Sequence, residues 1–309
     1  MNSSAALSGA VAFRADATTV RVPATSANLG PGFDALGLAL GLYDEVTARV
    51  GGDGDLFVDV SGEDAVPRDG SNLVVRAMRA AFDRVGSRPR GLQLSCVNRI
   101  PHGRGLGSSA AAIVGGVLLA RSLVLDGAAR LPDQALLPLA SALEGHPDNV
   151  AACLLGGLTV AWTVADQSSA VRLECDPSVQ PVVLIPPSPS ATAGARRLLP
   201  ANVPHRDAAF NAARAALLVA ALTGRPDTLF DATEDRLHQP YRADATPASA
   251  ELLVVLRGLG IPAVISGAGP TVLALTRDRD ELARTVERAP AGWAVEIPAI
   301  DRIGARVLR

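Results

Sequence analysis

The apolar and polar positions of the chain follow two different periods, and these periods predict strands and helices that succeed one another. Short β-branched or alternating runs, typical of strands, occur at 18–22, 43–50, 56–60, 91–100, 156–164, 182–185, 261–265, 271–275 and 293–297. Helical spacing of apolar residues predicts helices at 72–85, 109–125, 131–143, 192–199, 206–223, 247–259 and 280–288. In the helix at 206–223, we expect a buried face formed by Phe210, Ala213, Leu217 and Ala220. This order indicates an α+β protein.

A glycine-rich stretch joins the strand at 91–100 to the helix at 109–125. It consists of Pro101, His102, Gly103, Arg104, Gly105, Leu106, Gly107, Ser108, Ser109 and Ala110. Because glycine lacks a Cβ atom, the backbone N–H groups of such a loop can approach a ligand closely. The helix that follows adds unpaired N–H donors and the positive end of its dipole. We therefore predict an anion site, with phosphate as the anion, over the alternative of a tight turn capped by serine.

Two common nucleotide-binding motifs are excluded at this loop. A Walker A loop requires Gly-Lys-Ser/Thr, whereas the chain has no lysine and all 29 of its basic residues are arginine. The dinucleotide pattern requires a third glycine three positions after the second, and Ser108 stands there.

Two polar clusters beside apolar runs are further candidates for a site. The loop at 23–34 carries Asn28 and Asp34 near its ends, and the segment 144–149 carries Glu144, His146 and Asn149 next to the apolar run 150–155. Turn formation and helix capping by Asx side chains are the alternative explanations for both. A polar cluster at the start of a buried helix is costly unless it binds something, which favours a functional role.

Composition narrows the possible classes of protein. The chain has 309 residues, 48% of them hydrophobic, and a formal net charge of −2, so charge gives no reason to expect nucleic acid or anionic membrane as a partner. Cys96, Cys153 and Cys175 form no C-x-x-C pair and are typical of buried thiols in a reducing compartment. Residues 1–10 lack the features of a signal peptide. We expect a cytoplasmic protein with no membrane segment.

A polar break at 166–169 divides the chain. We expect an N-terminal domain at 15–168 and a C-terminal domain at 169–309, the latter an α/β sandwich in which strands and helices alternate.

Three motifs in order, 23–34, 101–110 and 266–271 (SGAGPT), resemble the GHMP kinases, and the resemblance extends from about residue 20 to residue 275. Segments 24–34, 144–149, 195–200 and 239–242 are similar to those of the homoserine kinases in that superfamily. The resemblance implies a two-domain GHMP kinase fold, with an N-terminal domain like ribosomal protein S5 domain 2 and a ferredoxin-like C-terminal domain. It also implies transfer of the γ-phosphate of ATP to the hydroxyl of L-homoserine, on the route to threonine, in a cleft between the domains.

The resemblance also implies roles for single residues. The loop 101–110 would bind ATP, with Ser109 and Glu144 as ligands of Mg²⁺. Asp34 suits the ammonium of the amino acid, and Arg196 and Arg242 suit its carboxylate in bidentate geometry. For Asn28, His146 and Asn149 we expect hydrogen bonds to the hydroxyl or to the ammonium, and their individual roles stay open. The oligomeric state stays open as well, with a homodimer as one option.

One position departs from the superfamily pattern. Mevalonate kinase and galactokinase carry an aspartate as general base where this chain has Asn149, which cannot take a proton. We therefore expect catalysis without a dedicated side-chain base, and Asp34 is the alternative base. Two other functions remain open: a kinase for a sugar or a mevalonate-type alcohol, and a GHMP-fold protein that binds nucleotide without catalysis. Two arginines facing one aspartate favour a zwitterion, and the presence of both Ser109 and Glu144 favours catalysis.

Overall fold

A computed structural model describes residues 10–51, 54–63, 65–189, 194 and 196–308. Its N-terminal half contains a mixed sheet built from β1 (Thr18–Ala27), β2 (Leu36–Gly51), β3 (Leu56–Gly62), β4 (Gly91–Asn98), β5 (Leu158–Val164) and β6 (Gln167–Leu173). The last strand of the chain, β11 (Arg306–Leu308), returns to this sheet. The order is β11-β1-β2-β4-β3, with β5 paired to the first part of β2 and β6 paired to β5. The pair β3–β4 is parallel and the other pairs are antiparallel.

The helices of this half are α1 (Leu73–Val85), α2 (Ser108–Leu123), α3 (Gly127–Arg130), α4 (Asp133–Glu144) and α5 (Asp148–Leu155). Helix α2 lies at the centre, because its small residues allow close approach on two sides. A Cβ atom on Gly116 would lie 2.5 Å from the carbonyl oxygen of Val74 in α1, and one on Gly115 would lie 2.9 Å from Val46 in β2. This packing holds the start of α2, and with it the glycine-rich loop, in place.

The C-terminal half has its own four-stranded sheet, made of β7 (Gln180–Ile185), β8 (Ala263–Ile265), β9 (Val272–Thr276) and β10 (Ala294–Glu296). The strand order β10-β7-β9-β8, with antiparallel pairs throughout, is the order of a ferredoxin-like β-α-β-β-α-β unit. The helices of this half are α6 (His205–Thr223), α7 (Leu229–Ala232), α8 (Gln239–Arg242), α9 (Pro247–Gly258) and α10 (Arg279–Glu287). The predicted α+β class and two-domain fold are confirmed.

Most predicted elements are present, and the differences concern where elements begin and end. Strand β1 continues through the first part of the predicted 23–34 loop to Ala27. The polar break at 166–169 lies within the N-terminal sheet: residues 165–166 form the turn of the β5–β6 hairpin, and residues 167–169 begin β6, with Trp162 opposite Ser169. The domain limits stay a prediction, and the sheet pairing favours an N-terminal domain that extends to Leu173 and includes β11. The elements that were not predicted are helices α3, α7 and α8, strands β6 and β11, and the first part of β2. The predicted helix at 192–199 falls partly outside the described residues, and Arg196–Leu198 form a 3₁₀ turn.

The predicted buried face of α6 is wrong by one position. Ala213 and Ala220 are exposed, whereas the buried residues of the helix are Asn211, Leu218, Ala221 and Leu222. An alanine-rich helix presents apolar side chains in several directions, so its pattern does not determine the buried face. The polar Asn211 faces inward because its amide donates to the carbonyl of Pro31 at 2.8 Å and accepts from the N–H of Arg236 at 3.1 Å.

Two other expectations concern the cysteines and membranes. Cys96, Cys153 and Cys175 are all buried free thiols, as the sequence predicted. In the part of the chain that the structure describes, no helix combines the length and apolar character needed to cross a bilayer.

Candidate active site

A cavity of about 540 Å³ lies between the N-terminal and C-terminal halves. Its wall contains twelve of the residues that the sequence singled out: Asn28, Asp34, Gly103, Gly105, Gly107, Ser108, Ser109, Glu144, His146, Asn149, Arg196 and Arg242. The other five predicted residues, Pro101, His102, Arg104, Leu106 and Ala110, lie outside this wall. Both polar clusters and the glycine-rich loop therefore meet at one site.

The backbone of the glycine-rich loop takes a conformation that side chains oppose. Gly103, Gly105 and Gly107 have φ angles of 64°, 76° and 70°, in the left-handed region that glycine tolerates best. Space is also lacking, since a Cβ atom on Gly105 would lie 2.3 Å from the carbonyl oxygen of Ser266. Helix α2 begins directly after Gly107, and no side chain caps its first turn. Its unpaired N–H groups are therefore available to an anion in the cavity.

The start of the loop is held by an acidic residue that the sequence analysis missed. The Oδ1 atom of Asp44 accepts hydrogen bonds from the N–H groups of Arg99 and Ile100 at 2.6 and 2.8 Å. Burial raises the pKa of this carboxyl, and the two backbone hydrogen bonds oppose that shift. Two adjacent carboxylates, Asp44 and Glu45, interrupt the apolar pattern of β2, and the local sequence does not indicate which of them is buried.

Arg104, predicted to bind the nucleotide, points its guanidinium elsewhere. It donates hydrogen bonds to the carbonyl oxygens of His102, Pro186 and Pro187 at 3.0, 3.0 and 2.6 Å. The N–H of Thr271 also donates to the Arg104 carbonyl at 3.3 Å. Arg104 thus connects the loop to two segments of the C-terminal half, the end of β7 and the residue before β9, and it does not line the cavity.

Ser109 and Glu144 meet beside the loop. The serine hydroxyl donates to Oε1 of Glu144 at 2.5 Å. Burial raises the pKa of Glu144, and the hydrogen bond from Ser109 lowers it in part. Among the described residues, no group of three or more His, Cys, Asp and Glu side chains is arranged to hold a metal ion. These two side chains alone therefore offer a pair of hard oxygen atoms, not a complete metal site.

His146 forms a close pair with Asp148 at the start of α5. Its Nδ1 lies 2.5 Å from Oδ1 of Asp148, which also accepts from the N–H of Asn149 at 2.8 Å. Asp148 is only 1% exposed. The hydrogen bond to this carboxylate is the main cause that raises the pKa of His146, so the pair favours an imidazolium. The carboxamide oxygen of Asn149 accepts from the hydroxyl of Thr25 at 2.7 Å.

Asn28 and Asp34 have positive φ angles of 66° and 55°, which are rare for residues other than glycine. The Asn28 amide donates to the carbonyl of Gly267 at 2.8 Å, and its oxygen accepts from the N–H of Asp34 at 3.0 Å. Both ends of this side chain are therefore bonded to protein, where the sequence analysis expected a contact with substrate. The strained turn aims the Asp34 carboxylate into the cavity wall, and strain of this kind is common at functional sites.

Two arginines of the cavity wall lie against one aromatic ring. The guanidinium carbons of Arg196 and Arg242 lie 5.7 and 5.3 Å from the centre of the Phe33 ring. Arg196 makes a two-pronged ion pair with Asp34, at 2.9 and 2.8 Å. Burial, followed by repulsion from Arg196, lowers the pKa of Arg242. Two guanidinium groups that lie against the same ring favour the binding of an anion between them.

His238 supports Arg242, and the sequence analysis did not single it out. Its ring stacks on Phe33 at 5.1 Å. Nε2 lies 2.9 Å from the carbonyl of Gly30, so it is the donor, and Nδ1 accepts from Arg242 at 3.3 Å. Burial lowers the pKa of this histidine, which is consistent with the neutral tautomer. Neither Phe33 nor His238 could be assigned from local sequence, because their partners are distant in the chain.

A second cavity, of about 310 Å³, adjoins the first at Ser108 and Ser109. Its wall is mainly apolar and comes from β2, α1, α2 and the segment before α1, including Val46, Val66, Pro67, Leu73, Val74 and Ala112. The N-terminus of α2 thus stands between an apolar cavity and a polar one.

Known proteins resemble this chain in both sequence and fold. The GHMP kinases N terminal domain family matches residues 72–157, and the GHMP kinases C terminal family matches residues 214–295. The homoserine kinase of Streptomyces coelicolor is 59% identical over 299 residues, which cover 96% of each chain. That of Leifsonia xyli subsp. xyli is 51% identical over 94% of this chain and 91% of its own. The crystal structure of homoserine kinase from Cytophaga hutchinsonii aligns with a TM-score of 0.83 at 26% identity, covering 97% of this chain and all of that one. This chain belongs to the homoserine kinase family of the GHMP kinases.

Proposed function

We propose that this protein transfers the γ-phosphoryl group of ATP to the side-chain hydroxyl of L-homoserine, which yields O-phospho-L-homoserine on the route to threonine. One observation carries the proposal: a single cavity joins a glycine-rich anion loop to a charged cluster of Asp34, Arg196 and Arg242. The first suits a phosphate and the second suits an amino acid zwitterion. The homoserine kinases that match most of this chain support the choice of amino acid.

The two adjoining cavities suggest how ATP would lie. We assign the apolar cavity beside α1 to the nucleoside, since an adenine ring prefers an apolar wall with few polar groups. The phosphates would then pass Ser108 and Ser109 and reach the glycine-rich loop, where the first turn of α2 offers N–H donors. This arrangement leaves the polar cavity to the acceptor.

Ser109 and Glu144 are the residues that would hold Mg²⁺. Magnesium prefers oxygen ligands, and it commonly takes one or two protein ligands together with phosphate oxygens and water. A pair of oxygens 2.5 Å apart beside a phosphate loop fits that preference. The half-buried Glu144 carboxylate also fits, because a cation would offset the desolvation that raises its pKa. When bound, the ion would neutralise charge on the transferring phosphoryl group.

The acceptor would lie with its charged ends at the cluster of Asp34, Arg196 and Arg242. The carboxylate would be bound by Arg242 and Arg196, and the ammonium by Asp34. A ligand carboxylate between the two arginines would offset the burial and the repulsion from Arg196 that together lower the pKa of Arg242. The hydroxyl would then reach toward Asn149 and the loop, near the phosphoryl group.

In the reaction, a bond forms between the hydroxyl oxygen and the γ-phosphorus while the bond from that phosphorus to the β-γ bridging oxygen breaks. The hydroxyl proton leaves to a phosphoryl oxygen or to water, in keeping with the expected absence of a dedicated base. Each carboxylate of the cavity has another proposed role in the complex: Asp34 would bind the ammonium and Glu144 the Mg²⁺ ion, while Asp148 is paired with His146. Positioning and neutralisation of charge would supply most of the catalysis.

An assay of ADP release with a panel of alcohols tests the proposal. We expect Mg²⁺-dependent turnover of L-homoserine that is much faster than turnover of mevalonate or galactose. Comparable or faster turnover of either competitor would assign the protein to another alcohol. ATP binding without turnover of any acceptor would favour the non-catalytic alternative.

A further inference from the structure

Thr25, in β1, connects the anion loop to Asn149. The residue is fully buried, and its N–H donates to the carbonyl of Leu106 at 3.0 Å. Its hydroxyl donates to Oδ1 of Asn149 at 2.7 Å. The same hydroxyl fills the space beside Gly107, since a Cβ atom on Gly107 would lie 1.9 Å from Oγ1 of Thr25.

This contact determines which end of the Asn149 amide is available to a ligand. Oδ1 is occupied by Thr25, and the N–H of Asn149 is held by Asp148 at the start of α5. Within the described residues, Nδ2 has no hydrogen-bond partner, although Asn149 lines the cavity. The side chain of Asn149 is therefore held with its N–H donor toward the site. It lies close to the loop, since a Cβ atom on Gly107 would lie 3.1 Å from Oδ1 of Asn149.

We infer that Thr25 is a positioning residue for phosphoryl transfer: it holds Asn149 so that Nδ2–H donates to the phosphoryl group in transit. The inference rests on the proposed kinase reaction. A carboxamide cannot accept the hydroxyl proton, but a fixed donor beside the loop can stabilise the negative charge of the transferring oxygens. Without the Thr25 hydroxyl, the amide can rotate and present its oxygen to the phosphoryl group, which repels it.

A purely structural role for Thr25 makes a different prediction. If the hydroxyl only fills the space beside Gly107, a side chain of the same shape should serve equally well. Valine has that shape and lacks the hydroxyl, whereas serine keeps the hydroxyl and lacks the methyl group. The two variants therefore separate the hydrogen bond from the packing.

We expect Thr25→Val to lower kcat with L-homoserine about tenfold, the effect of one lost hydrogen bond to a group that acts in the transition state. KM for ATP and for L-homoserine should change less than threefold, and Thr25→Ser should restore most of kcat. The matched control is Thr19→Val, on the same strand, whose hydroxyl contacts only that of Thr47 at 2.9 Å in the described structure. Wild-type kcat in Thr25→Val, or an equal loss in Thr25→Ser, would overturn the inference.

A pH profile tests the hydrogen bond itself. In the Asn149→Asp variant, the introduced carboxylate would accept from Thr25, and this bond would stabilise its ionised form. Adding Thr25→Val should raise the pKa of that carboxyl and move the corresponding limb of the kcat profile to higher pH. Adding Thr19→Val should leave the limb in place. An unmoved limb with Thr25→Val would contradict the inference.

The experiment also separates this inference from the proposed function. If wild-type enzyme does not phosphorylate L-homoserine, the proposed function fails and the alcohol that is turned over serves as the acceptor for the same variants. If wild-type enzyme is active and Thr25→Val is unimpaired, the function stands and the positioning role fails.

Discussion

The guanidinium of Arg196 binds the carboxylate of Asp34 through two hydrogen bonds, at 2.9 and 2.8 Å. We propose that Asp34 binds the ammonium of the acceptor and that Arg196 binds its carboxylate. In the structure, the two side chains bind each other instead. The Arg196 side chain is 56% exposed, and ion pairs this accessible contribute about 0–1 kcal/mol. Exchanging the internal pair for the two ends of a zwitterion would therefore cost little.

The two arginines should differ in importance. Arg242 is only 7% exposed, so its loss should weaken binding of L-homoserine by about 2–5 kcal/mol, as for truncated buried charge pairs. Loss of the more accessible Arg196 should cost less. Because both would act on one carboxylate, the double variant should lose less than the sum. Binding is measured by calorimetry with the alanine variants, and Arg206→Ala, at an exposed position on α6, is the control.

An amino alcohol that lacks the carboxylate distinguishes this role from a structural one. Wild-type enzyme should use it poorly, and the arginine variants should discriminate against it far less than wild type does. Equal losses for L-homoserine and for the analogue would show that the arginines do not bind the carboxylate.

Ser109→Ala and Glu144→Gln should each lower kcat strongly, by about 10²-fold or more if a charge-neutralising interaction of the transition state is lost. The loss should shrink at high Mg²⁺ concentration, because both residues are proposed to hold the ion. Initial rates over a Mg²⁺ titration test this, with Glu251→Gln at an exposed position on α9 as control. If neither variant responds to Mg²⁺, the two residues only shape the loop.

The pair of His146 and Asp148 predicts a specific pH dependence. The carboxylate raises the pKa of His146, so the imidazolium persists below that raised value and is lost as the pH rises through it. Asp148→Asn should therefore move the histidine titration to lower pH, as measured by NMR. If the imidazolium contributes to acceptor binding, KM for L-homoserine should begin to rise at a correspondingly lower pH. The titration of buried His238 serves as the internal control, and an unmoved His146 titration would contradict the prediction.

Arg104→Ala should raise KM for ATP about tenfold, because the loop would lose hydrogen bonds from a charged donor, each of which contributes about 1.5–3 kcal/mol. Water would form part of the hydrogen bonds that the carbonyl groups lose, so the effect should be smaller than the sum. KM for L-homoserine should change less. Steady-state kinetics with both substrates provide the test, and Arg76→Ala, at an exposed position on α1, is the control. A loss confined to L-homoserine would mean that Arg104 acts through the C-terminal loop alone.

The sequence by itself determined those features that depend on neighbours in the chain. The glycine-rich loop, its junction with α2 and the polar segment before α5 were predicted where they occur, because turn chemistry and helix starts depend on a few adjacent residues. The order of the main strands and helices followed from hydrophobic period for the same reason. The family followed from the spacing of three such local motifs.

Only the tertiary structure decided which distant residues meet. Asp34 and Arg196 are 162 positions apart, and Thr25 and Asn149 are 124 apart, so no local pattern could predict either pair. The buried face of α6 was also decided by distant partners, since an alanine-rich helix can pack on more than one side. Long-range packing and hydrogen bonds choose among the arrangements that local pattern allows, and in this protein those choices set the hydrogen-bond partners around the proposed acceptor.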